Sequence, residues 1–117
     1  PLVQHSLLLA YTTAKKNQRD LTWVVQKMAH NPALCFKLRG RGFLDEGYYA
    51  DLVVFDPDGT TQIRNSDVLY KCGWTPLDND YLKGKIMSTW VNGQCVWDGR
   101  NIISAQTSKR LVFGFNV

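Results

Sequence analysis

The sequence has 117 residues, of which 44% are hydrophobic, 12% aromatic and 21% charged, an ordinary globular composition that excludes a disordered tail. Its longest strictly apolar stretch, Leu7 to Tyr11, is far short of the roughly 20 residues a helical bilayer span requires. The net charge is +4, but the basic residues are scattered in small groups (Lys15-Lys16, Arg39/Arg41, Lys109-Arg110) and interrupted by acidic ones, so they read as solvated surface and not as a nucleic-acid track.

The first third has helical periodicity. Leu7, Leu8, Tyr11 and Ala14 share one face, with Ser6 as the candidate N-cap. Residues 15–19 form a polar link, and Asp20 opens a second helix. There Leu21, Val24, Val25, Met28 and Ala29 follow the spacing of a buried stripe. Asn31-Pro32 breaks the pattern, and Asn31 is expected to cap a short helix carrying Ala33, Leu34 and Phe36. After Gly40 the pattern is β. Leu52 to Phe55 is a short apolar run between two aspartates, as in a strand buried on both faces. Asp56-Pro57-Asp58-Gly59 suits a type I turn. Asn92-Gly93 lies between β-rich runs and predicts a two-residue hairpin turn pairing roughly 86–91 with 94–98. Ile102-Ile103 and Leu111 to Phe113 are further strand candidates.

Few residues offer self-sufficient chemistry. His5 and His30 are the only histidines, with no H-x-H, HExxH or CxxC spacing, and both read as surface or helix-terminal residues. Cys35, Cys72 and Cys95 are widely spaced and odd in number, which fits reduced cytoplasmic thiols better than a disulfide scaffold. Cys35 and Cys95 read as small core hydrophobes, and no serine sits in a nucleophile elbow. Asp45-Glu46, Asp78 and Asp80 occupy turn-like contexts. Trp90 and Trp97 lie on opposite arms of the expected hairpin, where cross-strand core packing explains them better than base stacking.

Several motifs nevertheless fall in the order of one family. Asn31 to Phe36 (NPALCF) resembles the NPA-x-x-F helix of the amidohydrolases. Residues 42–56 (GFLDEGYYADLVVFD) resemble the segment in which those chains leave a metal-dependent barrel for a small β domain. Residues 84–93 (GKIMSTWVNG) are similar to the family's late VNG hairpin. Residues 70–77 (YKCGWTPL) resemble the KCGWSP segment of dihydroorotases, a branch of which also carries a PLVQH stretch like residues 1–5. Pro76-Leu77-Asp78-Asn79 departs from that branch's P-[FL]-E-G.

The resemblance implies an α+β fragment: residues 1–40 as the last helices of a metal-dependent (β/α)8 barrel, and residues 41–117 as part of a small C-terminal β-sandwich domain. It implies a cyclic amidohydrolase that interconverts dihydroorotate and carbamoyl aspartate in pyrimidine synthesis. A zinc centre activates the water and a carboxylate shuttles the proton. All the family's metal ligands and its catalytic aspartate would lie upstream of Pro1, so no catalytic or metal-binding residue is carried over and the fragment is expected to bind no zinc itself and to be inactive. Pro1 matches a position just after the substrate-contacting loop and is the one implied substrate-binding residue. The implied partners are the missing barrel, the small-molecule substrate and a possible second copy, with neither nucleic acid nor membrane, in the cytoplasm. The stripes containing Leu7, Leu8, Tyr11, Leu21, Val24, Val25 and Met28 are then expected to face the absent barrel, and in this chain to form one exposed apolar patch. Three other readings stand beside this one: an allantoinase- or dihydropyrimidinase-type specificity, a non-catalytic assembly partner, and a free-standing basic β module.

Overall fold

The structure, a computed structural model, describes residues 1–103 and 107–114. Its elements are helix α1 (Ser6–Lys16), helix α2 (Leu21–Val25), helix α3 (Asn31–Cys35) and strands β1 (Leu52–Gln62), β2 (Tyr81–Val91) and β3 (Gln94–Trp97). The strands form one sheet in the order β1-β2-β3. The architecture is therefore α+β with a three-stranded antiparallel sheet. The chain divides into two compact units: residues 1–24 with 56–85, and residues 25–55 with 86–117. Residues 104–106 and 115–117 lie outside the described residues.

The first unit holds the apolar core. Leu8, Tyr11, Ala14, Val24, Ile63 and Leu82 are all buried. Ile63 exchanges backbone hydrogen bonds with the 79–80 segment, donating to Asp80 and accepting from Asn79. α1 docks on this half of the sheet. The Tyr11 hydroxyl donates to the Pro57 carbonyl at 3.3 Å, and the Lys83 amide donates to Thr12 Oγ1 at 2.8 Å. The expected exposed stripe is thus absent from α1, because its own β segment covers Leu8 and Tyr11. Val24 is fully buried, Leu7 and Leu21 are half-buried, and only Val25 and Met28 of the seven remain exposed.

Helix ends follow local hydrogen-bond supply. Ser6 is the first residue of α1 and not its cap; its hydroxyl turns back to the Val3 carbonyl at 3.1 Å. Asp20 does cap α2, accepting from the Trp23 amide at 3.0 Å and the Thr22 hydroxyl at 2.6 Å. α1 ends in a left-handed residue, Gln18, with Arg19 N–H bonded to Ala14 and Gln18 N–H to Lys15. α3 ends the same way at Lys37, with Leu38 bonded back to Ala33.

Asn31 does not cap a new helix. Its φ and ψ are helical, and the chain runs from α2 into α3 through a π-turn at Gln26–His30, where the Asn31 amide reaches back five residues to Gln26. Proline lacks an N–H and its ring presses on the carbonyl four residues back, here Met28. Widening that turn accommodates Pro32 without ending the helix.

The β region departs from the expectation at one place. Asp56 to Gly59 make no turn; β1 runs straight through Pro57. Among the described residues β1 is an edge strand, where a sheet tolerates a missing donor, and the Asp56 carboxylate takes up the neighbouring Asp58 amide at 3.0 Å. Nor is Leu52 to Phe55 buried on both faces: Val53 and Val54 are each about half exposed. The hairpin matches the sequence. Asn92 and Gly93 have φ of 50° and 80°, the two left-handed residues of a type I′ turn, and Val91 pairs with Gln94. A bulge between Thr89 and Trp90 shifts the register. Trp97 is half-buried and Trp90 is 37% exposed. Ile102 and Phe113 make only isolated bridges, to Trp97 and Leu38.

In the second unit the buried residues include Ala33 and Arg41. The Arg41 guanidinium pairs with Asp51, donates to Asn92 Oδ1 at 2.8 Å and lies over the Tyr49 ring at 4.1 Å. The other Asp51 oxygen accepts the Asn92 amide at 2.8 Å, and Gly93 N–H donates to the Ala50 carbonyl. One buried cation thus ties the hairpin tip to the start of β1. Replacing Asp51 with alanine leaves that cation short of its counter-charge. The expected loss is about 1–3 kcal/mol, reduced from the fully buried case because Asp51 is one-third exposed. Asp51→Asn, which keeps an acceptor for Asn92, is expected to lose less, with both variants compared to wild type by urea denaturation.

Gly42 has φ of +84°, and a Cβ there would stand 2.3 Å from the Ala33 Cβ and 3.0 Å from the Ala29 carbonyl oxygen. Gly42→Ala is expected to destabilise the protein by about 2–4 kcal/mol, through left-handed strain and overpacking together. An unchanged denaturation midpoint would refute this close packing.

Candidate functional site

The two segments that carry the dihydroorotase resemblance, residues 1–5 and 70–77, meet in the first unit. Val3–His5 form a single 3-10 turn ahead of α1. Gln4 in that turn holds the chain on both sides of Val68: its Nε2 donates to the Asp67 carbonyl at 3.0 Å, and its Oε1 accepts from the Leu69 amide at 2.8 Å. His5 is 5% exposed, with its ring edge-on to Tyr70 at a centroid distance of 6.4 Å. The His5 Nδ1 and the Tyr70 hydroxyl are both buried without a hydrogen-bond partner. His5 is therefore a core residue and not a surface one. Burial pushes its imidazole below the ordinary value of 6.5, because the charged form loses its water.

The 70–77 segment is held by polar contacts with its neighbours. Asn65 Oδ1 accepts from the buried Thr75 amide at 2.7 Å, the Leu77 amide donates to Thr75 Oγ1 at 3.2 Å, and Asp78 accepts from the Asn65 amide at 2.7 Å. Asp78, where the sequence departs from the family pattern, thus serves as a loop anchor. Trp74 at the centre of the segment is 52% exposed. Pro1 is exposed and precedes Leu2, whose φ of 76° is left-handed.

The remaining candidates do not converge. His30 lies in the second unit, stacked on Phe43 at 4.4 Å. Cys35 is exposed, contrary to its reading as a core residue, because α3 turns only Ala33 inward; Cys95 is half-buried, with its Sγ 3.3 Å from the Trp97 carbonyl oxygen. Asp45 caps its own turn, accepting from the Glu46 amide. Among the described residues no group of three or more His, Cys, Asp or Glu could hold a metal ion, so the residues present do not fit a zinc centre. No helix is long and apolar enough to cross a membrane among the described residues. Sequence reading missed Gln4 and Arg41: a lone glutamine and one of several scattered arginines carry no signal until their backbone and carboxylate partners are brought beside them.

The sequence profile of the amidohydrolase family matches residues 2–96, and the chain belongs to that family. It is 30% identical to the dihydroorotase of Pyrococcus horikoshii over 112 residues, covering 96% of this chain and 27% of that protein. It is 33% identical to the dihydroorotase of Clostridium acetobutylicum, over 84% of this chain and 23% of that one, and 36% identical to that of Archaeoglobus fulgidus, over 73% and 23%. The chain spans about a quarter of the length of these curated relatives. A solved D-hydantoinase structure superposes with a TM-score of 0.75 at 21% identity, over 92% of this chain and 24% of that one, which shows a shared fold.

The lowered His5 value has a sign. The folded chain holds His5 neutral, whereas the unfolded chain takes up a proton near 6.5, so stability falls as pH drops through the unfolded value towards the folded one. Between about pH 7.5 and about pH 5.5 the wild-type denaturation midpoint is expected to fall more steeply than that of His5→Phe. Parallel profiles would show that His5 does not titrate in this way.

Proposed function

We propose that this chain is the C-terminal part of a dihydroorotase-type cyclic amidohydrolase. In this reading residues 1–40 supply the last helices of its barrel and residues 41–117 part of its small β domain. The parent protein hydrolyses a cyclic amide, interconverting dihydroorotate and carbamoyl aspartate. Its zinc is held by residues outside this chain, a reading that agrees with the lack, among the described residues, of any group of three or more His, Cys, Asp or Glu that could hold a metal ion. The chain's own contribution is structural, together with the substrate-side segment that begins at Pro1. The barrel and the substrate are the partners, in a cytoplasmic enzyme that forms oligomers of like subunits.

The observation that carries this reading is the junction made by Gln4. It holds the backbone of Asp67 and Leu69, just ahead of YKCGWTPL, while the neighbouring His5 lies edge-on to Tyr70; PLVQH and YKCGWTPL are the two stretches that set dihydroorotases apart within the resemblance. The identities to dihydroorotases from three genera support it, and so does the second unit, whose many exposed apolar side chains suit burial against a larger body. A second reading, a hydantoinase-like ring specificity, has the fold likeness to D-hydantoinase in its favour.

The parent protein, purified with zinc, is expected to convert carbamoyl aspartate to dihydroorotate at mildly acidic pH and the reverse at alkaline pH. The 117-residue chain without the rest of the protein is expected to show no turnover. Hydrolysis of hydantoin or dihydrouracil in place of dihydroorotate would move the assignment to the second reading.

A further inference from the structure

We infer that the two compact units open independently of one another, with hinges at the three places where the chain passes from one unit to the other.

Each unit has a stabilising centre of its own, and the two centres differ in kind. The first unit is held by apolar burial, with Val24 and Ile63 fully enclosed. The second is held by the Arg41 guanidinium, whose partners Asp51, Asn92 and Tyr49 all belong to that unit. A region with its own centre can lose its structure while the rest of the protein keeps its own.

The chain passes from unit to unit at 24–25, 55–56 and 85–86. Within two residues of each passage the regular backbone is interrupted. At the first, the helix changes from α to π pitch at Gln26. Residues 25–28 are all exposed, so little side-chain packing stiffens that turn. At the second, Pro57 takes an amide donor out of β1, and the next amide, of Asp58, donates to the Asp56 carboxylate. At the third, Gly84 stands inside β2 with a φ of 87°, outside the extended conformation of a strand. The Gly84 carbonyl accepts from the Thr61 hydroxyl at 2.8 Å. One helix and two strands would otherwise transmit any opening stiffly from unit to unit. Interrupted at all three passages, they act as hinges, a few residues that absorb the change in backbone angles.

Native-state amide exchange of the whole parent protein, followed by mass spectrometry at low urea, tests this. Ile63→Val trims the first unit's core, and Asp51→Asn weakens the second unit's ion pair. Both changes are conservative, so the fold is retained. Ile63→Val is expected to quicken exchange about fivefold over residues 8–14 and 60–63, with residues 92–97 within about twofold of wild type. Asp51→Asn is expected to quicken residues 92–97 and to leave residues 8–14 and 60–63 within about twofold. Pro32→Ala removes the ring that the π-turn accommodates, and exchange over residues 26–31 is expected to slow about threefold. Exchange that changes in both units together, or in neither, overturns independent opening. Unchanged exchange over residues 26–31 in Pro32→Ala overturns the hinge at the helical passage.

Discussion

The second unit depends on a buried positive charge. Taking a guanidinium out of water costs several kcal/mol unless its donors and its charge are met. Asp51, Asn92 and the face of Tyr49 meet them from three different stretches of sequence. Around that charge the rest of the unit takes its place. Asp51 is the first residue before β1, Asn92 is the hairpin tip, and the Asn92 side-chain amide donates onward to the Thr107 carbonyl. The arrangement specifies register as well as energy, because a one-residue slip of β2 or β3 would take Asn92 away from both Arg41 and Asp51.

The first unit is built on the opposite principle. Its stability comes from apolar burial between α1 and the sheet, and its polar contacts serve to place loops. Asn65, Thr75 and Asp78 brace the segment ahead of β2, while Gln4 couples that region to the start of the chain. The candidate site belongs to this unit, and its loops are held by these side-chain contacts to backbone.

Much of this was legible in the sequence. Asn92-Gly93 specified its turn because positive φ at two successive residues is a local requirement, met by few residue pairs. Asp20 likewise announced a helix start. Errors arose where local preference yields to neighbours. Pro57 belongs to a turn in isolation but to an edge strand in the sheet. Asn31-Pro32 marks a helix break by propensity, yet a π-turn absorbs it. The π-turn also rotates the helical face, so a single 3.6-residue period cannot be carried from Leu21 to Phe36, and Cys35 and Leu34 emerge on the outside. The motifs around residues 1–5 and 70–77 were readable as family signatures. That His5 packs against Tyr70, with Gln4 holding the backbone just ahead of it, was not, since nothing local in either residue foretells its partner.

Pro57 has a bearing on how this chain behaves among copies of itself. Among the described residues β1 pairs with β2 alone, so its outer side offers a strand-shaped template to any unfolded neighbour. A proline midway along that strand withholds a donor, and the carboxylates of Asp56 and Asp58 on either side repel a like strand. Both features disfavour pairing of a like strand along an 11-residue edge that includes the apolar run from Leu52 to Phe55. The residue that suits a turn in isolation thus also limits what can add to this side of the sheet.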